Sequence, residues 1–200
     1  MEPRAHRGRA SAGRRLSTPW PPEIESARAL AKLELGVDHV RGPAADPVVL
    51  EYGDYECPYS RAAFRAIEHV EHALGGRVRF AFRHFPLVEI HPHALAAAMA
   101  AEAAALQGRF WEMHERLFHH QHALEDDDLR AHAREIGLDI PRFERERHGS
   151  ETLVRVERDR ASGEATGQVQ GTPTLFVDGV VHRGAYDPAS LRETIERARL

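Results

Sequence analysis

The chain has 200 residues, of which 42% are hydrophobic and one is cysteine, and its formal net charge is −4. This length suits one domain with a buried core, and a single cysteine excludes a disulfide within the chain, which favours a reducing compartment. No apolar run approaches the ~20 residues of a membrane-spanning helix, and the N-terminus lacks the apolar segment of a secretory signal. We therefore expect a cytoplasmic protein without a membrane span.

The first 22 residues are predicted to form a disordered basic leader. Residues 1–20 contain five arginines against Glu2 alone, so this arm carries +4 and the remainder of the chain −8. A basic arm can bind nucleic acid, but this one is rich in Gly, Ala, Ser and Pro and has no interleaved aromatics. We therefore expect no nucleic-acid partner. A short amphipathic helix is predicted over 23–35, followed by a connector over 36–47.

A strand–helix–strand pattern follows the connector. Val48–Tyr52 is a short apolar strand, and Arg61–Leu74 has the apolar spacing of a helix. Residues 77–83 alternate between polar and apolar, which predicts a half-buried strand. The helix is long enough to cross between two parallel strands.

The remainder of the chain is predicted to be a helical block followed by a hairpin and a helix. Helices are expected over 91–107, 110–122, 126–137, 141–147 and 151–165. Residues 174–182 form a β-hairpin around Asp178-Gly179, and 188–200 form a closing helix. The order β-α-β, helical insert, β-β-α is that of an α/β thioredoxin fold with a helical subdomain inserted over about 86–168.

The one cysteine, Cys57, lies between the predicted strand over 48–52 and the helix that follows it. A thiol at a helix N-terminus faces unpaired N–H groups and the positive end of the helix dipole, which favour the nucleophilic thiolate. A lone cysteine is more often a small buried hydrophobe. Here, however, tyrosines and acids flank it and Pro58 follows it, as at the first turn of a helix. Cys57 is therefore the predicted nucleophile.

Four segments resemble the DsbA-like thioredoxin-fold oxidoreductases. They are EYGDYECPYS at 51–60, RHFPL at 83–87 with HPH at 91–93, GRFWEMH at 108–114 and GTPTLFV at 171–177. The likeness runs from about Asp38 to Leu200, which we take as the bounds of the domain. The chain departs from the family at Ser60, where such proteins carry a second cysteine that resolves the mixed disulfide formed by the first.

The resemblance implies roles for eight residues. Cys57 is the nucleophile. Glu51 is a buried acid beneath it that relays protons or, if its strand lies at an edge, an ordinary surface acid; strand alternation leaves both open. Ser60 is predicted either to donate a hydrogen bond to the sulfur or to be an ordinary polar residue at the start of a helix. Pro58 and Tyr59 are expected to lie at the thiol, with Tyr55 lining the same groove. Pro173 is the predicted cis-proline, and the backbone at Thr172 is expected to pair with an extended substrate.

The 14 histidines raise the question of a metal site. His119, His120 and His122 cluster at the end of a predicted helix, and His91 and His93 flank Pro92. A catalytic zinc site needs three protein ligands in a defined geometry, and a third ligand is not evident from these spacings. We therefore predict no metal and no bound cofactor, with glutathione or a similar low-molecular-weight thiol as a co-substrate.

The predicted activity is thiol–disulfide exchange by a monothiol enzyme. Its partner would be a disulfide-containing protein or a small mixed disulfide, and the sequence leaves the oligomeric state open. Three explanations of Ser60 remain: a natural monothiol enzyme, a domain that lost catalysis and kept a binding role, or an engineered trap. Two other functions also remain open, namely a glutathione-dependent transferase or isomerase of kappa-class type, and a non-catalytic binding or regulatory module of the kind fused to membrane antiporters.

Overall fold

The structure, a computed structural model, describes residues 32–44, 47–75 and 77–199. The predicted leader over 1–22 and most of the predicted helix over 23–35 lie outside the described residues. The described end of that helix, 32–35, is not helical, so the prediction is wrong there.

A single mixed sheet contains all the strands of the described part of the chain, in the order β1-β3-β2-β4-β5. The central pair β2 and β3 is parallel, whereas the other neighbours are antiparallel. The strands are β1 (His39–Arg41), β2 (Val48–Gly53), β3 (Arg79–His84), β4 (Thr174–Val177) and β5 (Val180–Val181).

The helices divide into a crossover, an insert and a closing helix. The crossover α1 connects β2 to β3, five helices lie between β3 and β4, and α7 follows β5. This is the predicted α/β thioredoxin fold with inserted helices. The helices are α1 (Pro58–Ala73), α2 (Ala94–Ala105), α3 (Phe110–His119), α4 (Asp126–Glu135), α5 (Ile140–Arg147), α6 (Ser150–Ala165) and α7 (Pro188–Ala198).

Both faces of the sheet are buried, because apolar residues of β2 contribute to different clusters on either side. Val49 belongs to the larger cluster, which includes residues of α1, α2, α3 and α7, whereas Leu50 and Tyr52 belong to a smaller cluster on the other face. Since side chains alternate along a strand, Glu51 points to the same face as Val49. The helix that follows Cys57 and this acid therefore share one side of the sheet.

Two predictions about strands are wrong. The segment 36–47, taken as a connector, contains β1, whose three residues are too few for a periodic pattern. Strand β3 is not half-buried, since Phe80 to His84 are all buried. The polar Arg83 is accommodated because its guanidinium donates to the buried Asp38 at 2.9 and 2.7 Å, and a buried charge needs such a partner. The predicted hairpin is correct, with Asp178 at φ 48° and Gly179 at φ 77°.

Candidate active site

Cys57 is the N-cap residue of α1, and Pro58 occupies the first turn of the helix. The thiol is 3.2 Å from the carbonyl oxygen of Thr172 and donates a hydrogen bond to it. Only 3% of the residue is exposed. The turn after β2 and the start of α1 therefore bring the sulfur against the loop that precedes β4.

That loop contains a cis peptide bond between Thr172 and Pro173, as predicted. Pro173 is buried, and its carbonyl accepts a hydrogen bond of 2.7 Å from the Tyr186 hydroxyl. Tyr186 was not singled out from the sequence, where it is an isolated tyrosine before α7. Burial, together with the charges of Glu51 and Cys57, raises the pKa of Tyr186.

Ser60 is fully buried, and its hydroxyl accepts a hydrogen bond of 3.2 Å from the backbone N–H of Asp54. This bond joins the first turn of α1 to the end of β2. The predicted hydrogen bond from Ser60 to the sulfur is not among those formed by the described residues; the thiol donates to the carbonyl of Thr172. Ser60 therefore braces the active-site turn.

Glu51 is fully buried in the centre of the sheet, between Phe82 of β3 and Leu175 of β4. Neither carboxyl oxygen has a hydrogen-bond partner among the described residues. Burial raises the pKa of Glu51 to about 8, against the opposing charge of Arg41. A side chain at Gly53 would come within 2.8 Å of the Glu51 carboxyl, so glycine leaves room for this acid.

Comparison with known proteins identifies the family. The model Thioredoxin_4, described as Thioredoxin, matches residues 35–197. The chain belongs to this thioredoxin family. A thioredoxin-like oxidoreductase from Silicibacter pomeroyi DSS-3 has 28% identity and a TM-score of 0.74, covering 86% of this chain and 96% of that one. BdbD from Bacillus subtilis has 23% identity and a TM-score of 0.71, covering 82% and 94%, so it supports the DsbA-like fold.

The curated relatives are longer proteins. This thioredoxin-family chain is 45% identical over 187 residues to the Na(+)/H(+) antiporter NhaA 1 of Mycolicibacterium vanbaalenii, covering 91% of the chain but 30% of the relative. The antiporter NhaA 1 of Salinispora arenicola gives 40% identity over 196 residues, again covering 30% of the relative. The chain thus spans about a third of the length of these relatives. Within the described residues, no helix is both long and apolar enough to cross a bilayer.

Acids of the active-site turn of this thioredoxin-family chain hold the segment after β3. Asp54 accepts hydrogen bonds from the N–H of Leu87 at 2.9 Å and from His91 Nδ1 at 2.7 Å. Glu56 accepts from the N–H and Nδ1 of His93 at 2.6 and 2.9 Å. The hydrogen bond that the His93 side chain donates to Glu56 raises the pKa of His93. His91 and His93, which belong to a segment of the family resemblance and were considered and rejected as metal ligands, therefore connect two loops.

Gln121 is a further contact that sequence reasoning missed. Its side-chain amide donates to the backbone carbonyls of Tyr55 and Cys57, both at 2.8 Å. The predicted helix over 110–122 ends earlier, at His119, which leaves Gln121 in a turn where its side chain reaches the active-site loop. A lone glutamine near a helix end gives no sequence signal for such a contact.

The two tyrosines of the motif have different environments. Tyr59 is 69% exposed beside Cys57 in the sequence, as a residue near a substrate groove should be. Tyr55 is buried, bonds through its hydroxyl to His114 Nδ1 at 3.1 Å, and stacks on Phe82. The prediction that Tyr55 lines the groove is wrong, because its ring fills the core beneath the turn.

The helix-end histidines do not form a three-ligand group in the described part of the chain. His119, for example, is half exposed and lies 3.7 Å from Glu68. The structure instead brings together His39, His84 and Glu102, whose ligand atoms all lie within 4.8 Å of one another. These residues come from β1, β3 and α2, so their spacing in the sequence gave no indication of the cluster.

Proposed function

We propose that this chain is a monothiol thiol–disulfide oxidoreductase in which Cys57 attacks mixed disulfides. The Cys57 thiolate attacks one sulfur of a disulfide R–S–S–R′. A new S–S bond forms between Cys57 and R, the old S–S bond breaks, and R′S⁻ leaves and takes up a proton. The observation that carries the proposal is the contact of 3.2 Å between the Cys57 sulfur and the Thr172 carbonyl, next to Pro173.

The second step requires an external thiol. A hydroxyl does not exchange with disulfides, so Ser60 cannot attack the Cys57–S–S–R bond. Glutathione or a similar small thiol supplies the thiolate, which bonds to R–S and releases Cys57 as thiolate. No net oxidant is needed, because one disulfide is exchanged for another at each step. The carboxyl of Glu51, whose pKa is about 8, is largely protonated at pH 7 and supplies a proton reservoir for the departing thiolate.

The substrate would be held by backbone groups and by the exposed ring next to the thiol. An extended peptide can pair with the backbone at Thr172 as an added strand. Pro58 and Tyr59 begin the helix beside Cys57, and Tyr59 is largely exposed, so its ring offers apolar area at low entropic cost. This arrangement fits a disulfide-containing protein or a small mixed disulfide. The proposal requires no nucleic acid and no bound cofactor, and it keeps the cytoplasm as the compartment, which cell fractionation would test.

The test is reduction of a glutathionylated peptide with glutathione as the reductant, followed by intact-mass measurement of trapped adducts. We expect turnover with glutathione and a covalent adduct on Cys57 without it, and Cys57→Ser should abolish both. Ser60→Ala keeps the single thiol and is the matched control for Ser60→Cys, which should resolve the adduct internally and shorten its lifetime. Rapid reduction of a protein disulfide by the unaltered chain with no small thiol present would refute the monothiol mechanism.

A second candidate function is supported by the curated relatives. Sequences 45% identical to this chain form about a third of proteins named Na(+)/H(+) antiporters, which favours a regulatory module acting on such a transporter. The test adds the purified chain to vesicles that contain an NhaA-type antiporter and compares Na⁺/H⁺ exchange with and without Cys57→Ser. A change in exchange rate that survives Cys57→Ser, together with no peptide turnover, would favour the module over the enzyme.

The glutathione transferase alternative makes a different prediction. It would form a thioether between glutathione and an electrophile such as an aryl halide, with release of halide and no change in disulfide content. The proposed oxidoreductase should give no such product. Thioether formation that persists in Cys57→Ser would support the transferase, because that reaction uses the thiol of glutathione and not the protein thiol.

A further inference from the structure

Two histidines and a glutamate from separate elements converge on one buried point. Nε2 of His39 and Nε2 of His84 each lie 2.7 Å from the same oxygen, Oε1 of Glu102. His39 is in β1, His84 ends β3 and Glu102 is in the middle of α2. The cluster therefore joins the sheet to the inserted helices, and none of the steps proposed for Cys57 uses it.

The cluster is shielded from solvent. The side chains of His39, His84 and Glu102 are 15%, 1% and 6% exposed. A carboxyl group and two imidazoles are thus held together in a partly dry environment, where a cation would interact strongly with the carboxylate.

The donor set suits a transition metal. Two imidazole nitrogens and one carboxylate oxygen are ligands for Zn²⁺ and related divalent ions, which take three protein ligands and leave a further position open. Metal–ligand distances of about 2.0–2.2 Å place tetrahedral ligands about 3.4 Å apart, so binding would move each imidazole away from the Glu102 oxygen that now lies 2.7 Å from it. The His39 ring is held by stacking on Phe110, with ring centroids 3.5 Å apart and planes 8° from parallel.

One residue of the cluster borders a cavity. Glu102 lines a cavity of about 290 Å³ together with Leu106 of α2 and Glu151, Thr152, Arg155 and Arg158 of α6. Neither histidine lines this cavity, and the guanidinium groups of Arg155 and Arg158 oppose the approach of a cation. The case for the site therefore rests on the buried donor set, which meets one of the requirements of a genuine metal site.

We propose that His39, His84 and Glu102 bind a divalent transition-metal ion of the Zn²⁺ class, which joins the sheet to the helical insert. The ion replaces the two hydrogen bonds to Glu102 with three coordinate bonds. His84 pairs in register with Gly53, the last residue of β2. The ion therefore also steadies the end of the strand that leads to Cys57.

The experiment uses the full chain with Cys57→Ser, so that the thiol cannot ligate the metal. After chelator treatment, Zn²⁺ is titrated in competition with a chromophoric indicator, and the melting temperature is followed in parallel. We expect one tightly bound ion and a rise in melting temperature. His39→Gln and Glu102→Gln should each weaken binding by about 100-fold or more, since loss of a direct ligand should cost at least as much as loss of an outer-shell partner.

The matched control is a triple variant, His119→Gln with His120→Gln and His122→Gln, which removes the exposed helix-end histidines and should bind Zn²⁺ as before. Absence of a tightly bound ion, or binding that is lost in the triple variant and kept in His39→Gln, would overturn the proposal. If a site variant unfolds, the location of the ion can be determined without it, by anomalous diffraction at the zinc edge from Zn²⁺-loaded crystals of the Cys57→Ser chain. A peak between the three side chains supports the site, and a peak elsewhere or none refutes it.

Discussion

The buried carboxyl of Glu51 predicts a specific dependence of stability on pH. Its pKa is raised from 4.5 to about 8 by burial, while the unfolded chain has an ordinary glutamate. Between these two values the folded state holds a proton that the unfolded state has lost. The unfolding free energy therefore falls as pH rises from about 4.5 to 8, because stability rises with pH only where the unfolded state binds more protons.

The size of the effect follows from the shift itself. At about 1.4 kcal/mol for each pH unit, a rise from 4.5 to about 8 corresponds to up to about 5 kcal/mol. No discount for solvent screening applies, because the side chain is fully buried. Small domains are stable by only about 5–15 kcal/mol. Ionisation of this single group should therefore dominate the fall in unfolding free energy as pH rises from about 4.5 to 8.

The assay is urea unfolding at 25 °C under reducing conditions, at several pH values from 5 to 8.5, for the unaltered chain and for Glu51→Gln. Glutamine has the same shape but does not ionise. We expect the two proteins to differ little at pH 5 and Glu51→Gln to be the more stable by several kcal/mol at pH 8.5. The control is Glu193→Gln, an exposed glutamate of α7, which should follow the unaltered chain. If the unfolding free energies of Glu51→Gln and the unaltered chain differed by the same amount at every pH, the reasoning would be refuted.

Three other outcomes are expected. Asp38→Asn leaves the buried guanidinium of Arg83 without its charged partner and should cost about 3–5 kcal/mol in urea unfolding; a loss below about 1 kcal/mol would contradict this. Gln121→Ala removes two hydrogen bonds to the active-site turn. It should lower the rate of exchange with glutathionylated peptide while changing the melting temperature little. An unchanged rate would show that these hydrogen bonds are not needed to position the turn. His93→Gln should reduce stability at pH values below the ordinary histidine pKa of about 6.5 and progressively less above it. The raised pKa of His93 means that its bond to Glu56 contributes fully in acid and is lost as pH rises, so an equal loss at pH 5 and pH 9 would exclude an ionic contribution.

Several elements could be predicted from local patterns alone. Asp178-Gly179 between two apolar runs predicted the hairpin, because only residues that tolerate positive φ allow such a tight turn. Helical spacing with a glycine stop predicted α1 and the inserted helices to within a few residues. Cys57 before Pro58 predicted a thiol at a helix start. These features depend on interactions between residues near one another in the chain, so the sequence contains the information directly.

The features that only the tertiary structure decided all depend on distant residues. Burial of Glu51 could not be read from strand alternation, because both faces of the central strand are covered, and the covering helices are distant in sequence. Tyr55 was assigned to the groove because it is close to Cys57 in the chain, but packing against Phe82 places it in the core. The His39–His84–Glu102 cluster depends on the meeting of a short edge strand, a central strand and an inserted helix. The sequence by itself therefore determined the family and the order of elements from β2 onward, and it predicted Cys57 as the nucleophile. The environment that sets the chemistry of each group came from long-range packing, which residue spacing along the chain does not record.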